Sequence, residues 1–125
     1  MLNEKSAMAT IAVKDLKKAR QFYENTLGLK RTGGEEHAAI VYGTGNGGVL
    51  VYESQYAGTN RATTVTWDVG NKVDEIVRTL KGKGVAFEHY DLPEMKREGD
   101  VHVAGSMRAA WFKDPDGNIH ALVSQ

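Results

Sequence analysis

The segment that most constrains the fold is a tight turn near the C-terminus, Asp-Pro-Asp-Gly-Asn at 114–118. Proline fixes φ at one turn position, glycine takes a positive φ at little cost, and aspartate side chains hydrogen-bond the backbone locally. Short apolar runs flank the turn at 109–112 and 119–123. Two such runs joined by a few turn residues predict a β-hairpin.

The chain repeats one order of elements, which predicts a duplicated fold. Val13 and Val69 are equivalent at a spacing of 56 residues, as are Gly28 and Gly84. Farther along, the spacing is 70, from Tyr42 to Phe112 and from Gly47 to Gly117. In the first half we predict strands at 7–13, 29–32, 38–42 and 49–53, with a helix at 16–27 after an Asp15 N-cap. In the second half we predict strands at 63–69 and 85–87, a helix from an Asn71 N-cap to Gly82 or Gly84, and the hairpin.

The repeat predicts one domain over 1–125, with module 1 at about 7–54, a linker at 55–62 and module 2 at about 63–125. The 14 extra residues of the second half (70 against 56) fall in the polar stretch 88–100. Because the run 94–100 at its end mixes charges of both signs, we expect a mobile, solvated loop there that could act as a lid.

Composition excludes several classes of function. Lys and Arg number 16, as do Asp and Glu, so the net charge is near zero and argues against nucleic acid, whose binding usually needs a basic face. The absence of cysteine excludes disulfides, thiolate metal sites and a cysteine nucleophile. No apolar run is long enough to span a bilayer, so no membrane partner is expected. A cytoplasmic location is therefore the default expectation.

Two motifs together carry a family resemblance. One is Val-Lys-Asp-Leu-Lys-Lys-Ala-Arg-Gln-Phe-Tyr-Glu-Asn-Thr-Leu-Gly-Leu at 13–29, and the other is Phe-Lys-Asp-Pro-Asp-Gly-Asn at 112–118. With the repeat, they resemble the vicinal oxygen chelate superfamily of glyoxalase I, bleomycin-resistance proteins and extradiol dioxygenases. The resemblance implies an α+β fold, in which two βαβββ modules form curved mixed sheets around a central cavity, with helices on the outer faces. It also implies a homodimer, and leaves open whether modules swap between chains.

The resemblance implies metal ligands at four positions: a His on the first strand of a module and a Glu on the last. Here the His positions hold Met8 and Thr64, and the Glu positions hold Ala121 and Val51. A catalytic divalent metal needs about three nitrogen or oxygen ligands from the protein. None of these four residues supplies an imidazole or a carboxylate, so we predict no metal and no other cofactor.

Without a metal, the resemblance favours a protein that binds a small, largely apolar organic ligand. The predicted ligand-binding residues share the cavity side of the strands or flank the cavity: Met8, Thr10, Val51, Glu53, Thr64, Thr66, Trp111 and Ala121. The alternative is that these side chains fill the space and leave no pocket. The alternative function is a metal-dependent lyase, isomerase or dioxygenase with a non-standard ligand set.

Few residues are candidates for catalysis. Glu53 and Asp68 could act as general bases beside an apolar pocket, although solvated strand ends are the simpler interpretation. His120 is expected on the helix side of its strand, and His37, His89 and His102 show no metal-ligand spacing. Trp111 and Tyr90 could stack on a ligand or pack in the core. Strand alternation alone does not decide whether Trp111 or Phe112 faces the cavity.

Overall fold

The structure is a computed structural model that describes residues 1–33 and 39–124. It divides the chain into two compact units, residues 1–60 and 61–125, which we call module 1 and module 2. Each carries a mixed β-sheet and a helix, so the predicted α+β class and the two mixed sheets are confirmed. In the described ranges, no helix is both long and apolar enough to cross a membrane.

Module 1 is a four-stranded sheet in the order β1-β4-β3-β2, with β1 parallel to β4 and the other pairs antiparallel. Its elements are β1 (Ala9–Val13), α1 (Leu16–Arg20) continued by a π-helical segment (Gln21–Thr26), β2 (Lys30–Gly33), β3 (Ala39–Thr44) and β4 (Gly47–Glu53). The predicted N-cap is confirmed, because the Asp15 carboxylate accepts the Lys17 N–H at 2.8 Å. His37 and the start of the predicted strand at 38–42 lie outside the described residues.

The sequence predicts an α-helix over 16–27 in module 1, but only the first part of this segment is α-helical. From Gln21 it widens into a π-helix, and the Leu27 N–H donates to the carbonyl five residues back, on Phe22. In this segment the adjacent Tyr23 and Glu24 both reach Tyr42 of β3: the Tyr rings stack at 6.1 Å, and the Tyr42 hydroxyl donates to Glu24 at 2.8 Å. The helix is thereby fixed against one face of the sheet.

Module 2 has a longer sheet in the order β5-β10-β9-β8-β7, with β6 also paired to β9 and with β5 parallel to β10. Its elements are β5 (Thr63–Asp68), α2 (Val73–Gly82), β6 (Phe87–Glu88), β7 (Lys96–Glu98), β8 (Val101–Ala104), β9 (Met107–Lys113) and β10 (Ile119–Val123). The β9–β10 hairpin is confirmed, and Asp114 closes its turn by accepting the N–H groups of Asp116 and Asn118 at 2.9 and 2.8 Å. Gly117 takes the positive φ, 88°, that the turn requires.

The run 94–100 is not the loop that the sequence predicts, because it contributes strand β7. Strands β7 and β8 form a hairpin at the edge of the sheet, and β8 pairs along β9. The Asp100 carboxylate joins this hairpin to the end of α2 through Lys81 at 2.6 Å and contacts His89 at 2.7 Å. The sequence predicts that Asp100 is solvated, whereas in the structure its carboxylate contacts Lys81 and His89.

The start of α2 also differs from the prediction. A 3-10 turn, Gly70–Lys72, precedes the helix, and Lys72 rather than Asn71 occupies the N-cap without a side-chain capping bond. Asp74, in the first turn of α2, makes a bidentate ion pair with Arg108 of β9 at 2.8 and 2.9 Å. Because this pair joins α2 to β9, it identifies the sheet face on which the helix packs.

Candidate functional site

Each sheet has a face that packs against its own helix, the helix face, and an opposite side that we call the distal face. In module 1, Tyr42 lies on the helix face because it contacts Tyr23 and Glu24. Directly paired residues of neighbouring strands share a face, and side chains alternate along a strand. Tyr42 pairs with Val49, so Val49 and Val51 are also on the helix face, with Val51 opposite Ile11 and Ile40.

The predicted placement of Val51 and Glu53 towards the cavity is therefore wrong. Val51 is fully buried on the helix face, beside Ile11 of β1. Glu53 shares its parity, and its carboxylate accepts the Leu16 N–H at 3.1 Å, at the first turn of α1. An acidic group in this position stabilises the helix N-terminus. Glu53 thus has a structural partner that strand alternation alone did not indicate.

The prediction for Val51 and Glu53 was wrong because the β9–β10 turn has one more residue than the β3–β4 turn. Tyr42 and Phe112 are equivalent, since Arg31 pairs with Tyr42 and Phe87 pairs with Phe112. Beyond the turns, however, Leu50 pairs with Val41 while Ala121 pairs with Trp111. The position equivalent to Ala121 is therefore Leu50, at a spacing of 71 residues and not 70. A slip of one residue moves every side chain to the other face.

The distal face of module 1 is lined by small and apolar side chains. Thr10 pairs with Leu50 there, and Tyr52, which the sequence did not single out, lies two residues farther along β4 with 38% exposure. Met8 extends over Gly48: a Cβ built on that glycine would lie 3.2 Å from the Met8 sulfur. Met8 and Thr10 thus lie on the distal face of module 1.

In module 2, the distal face carries Trp111 and Ala121, which are direct ladder partners. Phe112 and His120 form the neighbouring pair on the helix face, where their rings stack at 4.9 Å. This settles the choice between Trp111 and Phe112 that alternation left open. It also confirms the predicted orientation of His120 towards the helix side.

Strand β5 places its predicted residues less uniformly. Thr66 pairs with Ala121 and is exposed, so it lies on the distal face. Thr64 lies at an irregularity of the ladder between Thr63 and Val65. Asp68 pairs with Val123 at the strand end, and its carboxylate accepts the Gly70 N–H at 3.2 Å. This turn contact favours the interpretation of Asp68 as a strand-end residue.

A buried histidine on the distal face was not singled out in the sequence as a ligand-binding residue. His102 of β8 is 1% exposed, and its ring centroid lies 4.9 Å from that of Trp111, nearly perpendicular to it. Tyr90 contacts both rings and is half-buried. Burial and the nearby Glu88 carboxylate raise the pKa of the Tyr90 hydroxyl, so it is protonated at neutral pH. The residues come together because the extra β7–β8 hairpin adds a strand beside β9.

The other histidines have different partners. The His120 Nδ1 atom accepts the Trp67 indole N–H at 3.0 Å, and burial lowers the pKa of His120 to about 4. His89 lies between Arg97 and Asp100, at 2.6 and 2.7 Å. Lys81 and His89 lower the pKa of the Asp100 carboxyl through their hydrogen bonds. The His120 contacts stabilise the helix face, and the His89 contacts join the connection after β6 to the β7–β8 hairpin.

The residues at the family's metal-ligand positions do not fit a divalent metal. With the register corrected, these positions hold Met8 and Leu50 in module 1, and Thr64 and Ala121 in module 2. A thioether, a hydroxyl and two aliphatic side chains lack the nitrogen and carboxylate donors of catalytic sites. In the part of the chain that the structure describes, no group of three His, Asp or Glu side chains is placed to hold a metal ion.

Two shallow hollows lie inside the modules, apart from the distal-face residues. One, of about 390 Å³, is lined in module 1 by Lys14, Glu53, Ser54 and Gln55. The other, of about 420 Å³, lies beside the start of α2 and includes Asn71, Met107 and Arg108. Arg108 is engaged there by Asp74 and Glu98, so its charge is already compensated.

The comparisons with known proteins give the same fold. The model of the "Glyoxalase/Bleomycin resistance protein/Dioxygenase superfamily" matches residues 5–122. An integron cassette protein from the mobile metagenome of a Halifax Harbour sewage outfall has a TM-score of 0.72 and 18% identity, covering 98% of this chain and 99% of its own. No curated protein sequence matches the chain.

Two further solved structures have similar folds. The fosfomycin resistance protein FosX from Listeria monocytogenes, complexed with Mn(II) and sulfate, has a TM-score of 0.71 and 21% identity, with 97% and 90% of the two chains covered. A lactoylglutathione lyase from Agrobacterium tumefaciens has a TM-score of 0.71 and 16% identity, with 96% and 93% covered. At such identities the likeness establishes the fold and leaves the chemistry to be argued from residues.

Proposed function

The chain belongs to the glyoxalase/bleomycin resistance protein/dioxygenase superfamily, and on that premise we propose that it binds a small, largely apolar organic molecule without a catalytic metal. The observation that carries the proposal is the chemistry of the distal faces. Met8, Thr10 and Leu50 in module 1, and Thr66, Trp111 and Ala121 in module 2, provide apolar surface and hydroxyl groups. Apolar walls with few polar groups are typical of small-molecule sites.

The register changes two members of the predicted set of ligand-binding residues. Val51 and Glu53 leave it because they lie on the helix face, and Glu53 contacts the α1 N-terminus. Leu50 and Tyr52 enter it on the distal side of the same strand.

Ligand binding through these residues, a homodimeric assembly and a cytoplasmic location are all parts of the proposal. Light scattering that gives the mass of two chains would support the dimer, and the mass of one chain would refute it.

A thermal-shift screen of planar organic compounds in EDTA tests the binding proposal. Compounds that stabilise the protein are then titrated by calorimetry before and after removal of EDTA, and we expect equal affinities. The variant Thr66→Arg places a charged side chain on the distal face and should weaken binding at least about tenfold. Its matched control, Thr79→Arg, makes the same change at an exposed position of α2, and this variant should bind the compounds like the wild type. Binding that requires an added metal would contradict the proposal.

A metal-dependent lyase, isomerase or dioxygenase is the second candidate. It is favoured by one specific comparison, the similar fold of a FosX protein complexed with Mn(II). It requires ligands other than the four residues at the family positions. A stoichiometric metal that raises the melting temperature by several degrees would favour this candidate over the first.

A further inference from the structure

The distal face of module 2 holds a compact cluster of three rings, Tyr90, His102 and Trp111. Trp111 lies 5.4 Å from Tyr90 and 4.9 Å from His102, measured between ring centroids, with interplanar angles of 70° and 85°. Trp111 pairs with Ala121, and Ala121 pairs with Thr66, so the cluster is continuous with the residues that the proposed function uses. Module 1 has no β7–β8 hairpin and therefore no equivalent of His102 in its described residues.

The hydrogen bonding of His102 defines its tautomer. The Tyr90 backbone N–H donates to His102 Nε2 at 3.0 Å, so this nitrogen carries a lone pair and no proton. In a neutral imidazole the proton is then on Nδ1, which becomes a donor. Nδ1 is buried and has no hydrogen-bond partner among the described residues. A buried donor without a partner is unfavourable and rare in folded proteins, so it calls for an explanation.

We propose that His102 Nδ1–H is the hydrogen-bond donor for a flat, uncharged aromatic ligand that carries a carbonyl oxygen. The inference rests on the proposed function and names the chemistry of the ligand that the site takes. The carbonyl accepts the Nδ1 proton, and the aromatic part packs against Trp111. Aromatic rings pair favourably in offset-stacked or edge-to-face arrangements, which the perpendicular rings of this cluster provide.

The charges around the cluster already have partners, which favours a neutral ligand. Arg97, which pairs with His102 in the ladder, contacts His89 and the Gly99 carbonyl. Glu88 pairs with Trp111 in the ladder and is therefore on the same face, where Lys113 compensates it at 3.4 Å. A carboxylate ligand would meet Glu88 and would also lose its hydration in a buried site. A ketone or an amide has an acceptor oxygen without that penalty. Since Nδ1 is covered in this structure, binding must also displace a side chain around it, and Tyr90 lies on a connection outside the strands.

A pair of isosteric probes isolates the hydrogen bond. The probes are 2-acetylnaphthalene and 2-isopropenylnaphthalene, which share a ring system and differ in a carbonyl oxygen against a methylene group. We expect the wild-type protein to bind the acetyl compound about tenfold more tightly, the size expected of one neutral hydrogen bond. Quenching of tryptophan fluorescence gives both affinities in the same buffer. Equal affinities for the two probes, or binding of neither, would overturn the inference.

Two substitutions assign the effect to His102. In His102→Met the thioether sulfur is a weak acceptor for the Tyr90 N–H and the side chain has no hydrogen-bond donor, so the ratio of affinities should fall to about one. The control His89→Met makes the same change at an exposed histidine of the same module and should keep the tenfold ratio. A preserved ratio in His102→Met would contradict the inference. Circular dichroism and the melting temperature establish that each variant is folded.

Nitrogen NMR of the labelled wild-type protein provides a test without any variant. The Nδ1-protonated tautomer is expected in the free protein, and its proton resonance should shift when 2-acetylnaphthalene is added. A proton found on Nε2 would overturn the inference. The proposed function fails separately: if both probes bind equally and Thr66→Arg abolishes both, the distal face binds ligands but His102 does not recognise them. If no compound of the screen binds in EDTA, the proposed function itself is refuted.

Discussion

At the scale of single residues, His120 makes stability depend on pH in a defined window. It is fully buried between Trp67 and Phe112, and burial lowers its pKa from 6.5 to about 4. Below pH 6.5 His120 is protonated in the unfolded chain but stays neutral in the folded chain. The free energy of unfolding therefore decreases as the pH falls towards 4. We expect the free energy of unfolding to be about 2 kcal/mol smaller at pH 5 than at pH 7, measured by urea denaturation.

The variant His120→Phe checks this assignment. It keeps a ring against Phe112 but cannot be protonated, so the loss between pH 7 and pH 5 should largely disappear, whatever the variant's stability at pH 7. Asp74 and Asp100 have lowered pKa values, and their contributions are lost only at more acidic pH. An equal loss in the variant and the wild type would show that another group is responsible.

Glu53 gives a second prediction at this scale. Because its carboxylate accepts the Leu16 N–H, Glu53→Gln should lower the free energy of unfolding by about 0.5 kcal/mol, the usual size of a charge effect at a helix N-terminus. Ligand affinity should not change, since Glu53 shares the parity of Val51 on the helix face. If the variant keeps its stability but loses ligand binding, Glu53 belongs to the ligand site and the prediction is contradicted.

At the scale of elements, the β7–β8 hairpin depends on Asp100. Its carboxylate is only 15% exposed and contacts Lys81 and His89. Asp100→Asn removes the charge and should cost about 1 kcal/mol, with faster hydrogen exchange in residues 96–104. Glu75→Gln is the matched control, because the Lys72–Glu75 pair is exposed at both ends and should contribute almost nothing. Equal effects of the two changes would contradict the role given to Asp100.

Most elements could be predicted from sequence because turn residues and periodicity determine them locally. The Asp114 turn, the Asp15 N-cap and the spacing of 56 residues all agree with the structure, the last through the equivalent pairs of Arg31 and Phe87. The hairpin in 96–104 was missed although its pairings are local, because the charged residues at 96–98 lack the alternation of apolar and polar residues that predicts a strand. The π-helical segment was missed because its i→i+5 bonds leave no clear periodic signal.

The candidate site was less predictable than the fold, because it depends on strand phase to the single residue. Because the β9–β10 turn has one extra residue, Leu50 and not Val51 is equivalent to Ala121. Both residues are apolar, so no periodic pattern in the sequence reveals the shift. His102 and Trp111 come together only through the register of β8 and β9. Thr66, Trp111 and Ala121 share the distal face because they are paired across β5, β10 and β9.

At the scale of the whole molecule, the proposal joins a superfamily fold to four family ligand positions whose side chains are not metal donors of the catalytic kind. The superfamily model spans residues 5–122, and similar folds occur in FosX and in a lactoylglutathione lyase. The fold therefore does not determine the chemistry, and the side chains at a few strand positions do. Met8, Leu50, Thr64 and Ala121 favour a binding protein over a metal enzyme.

The most direct test of this account is the metal content of the purified protein. The chain is produced in medium supplemented with manganese, iron, nickel and zinc, purified without chelators, and measured by mass spectrometry of the elements. Because these four positions lack strong donors, we predict less than about 0.1 metal ion per chain. A ratio near one ion per chain, retained on dialysis, would contradict the account.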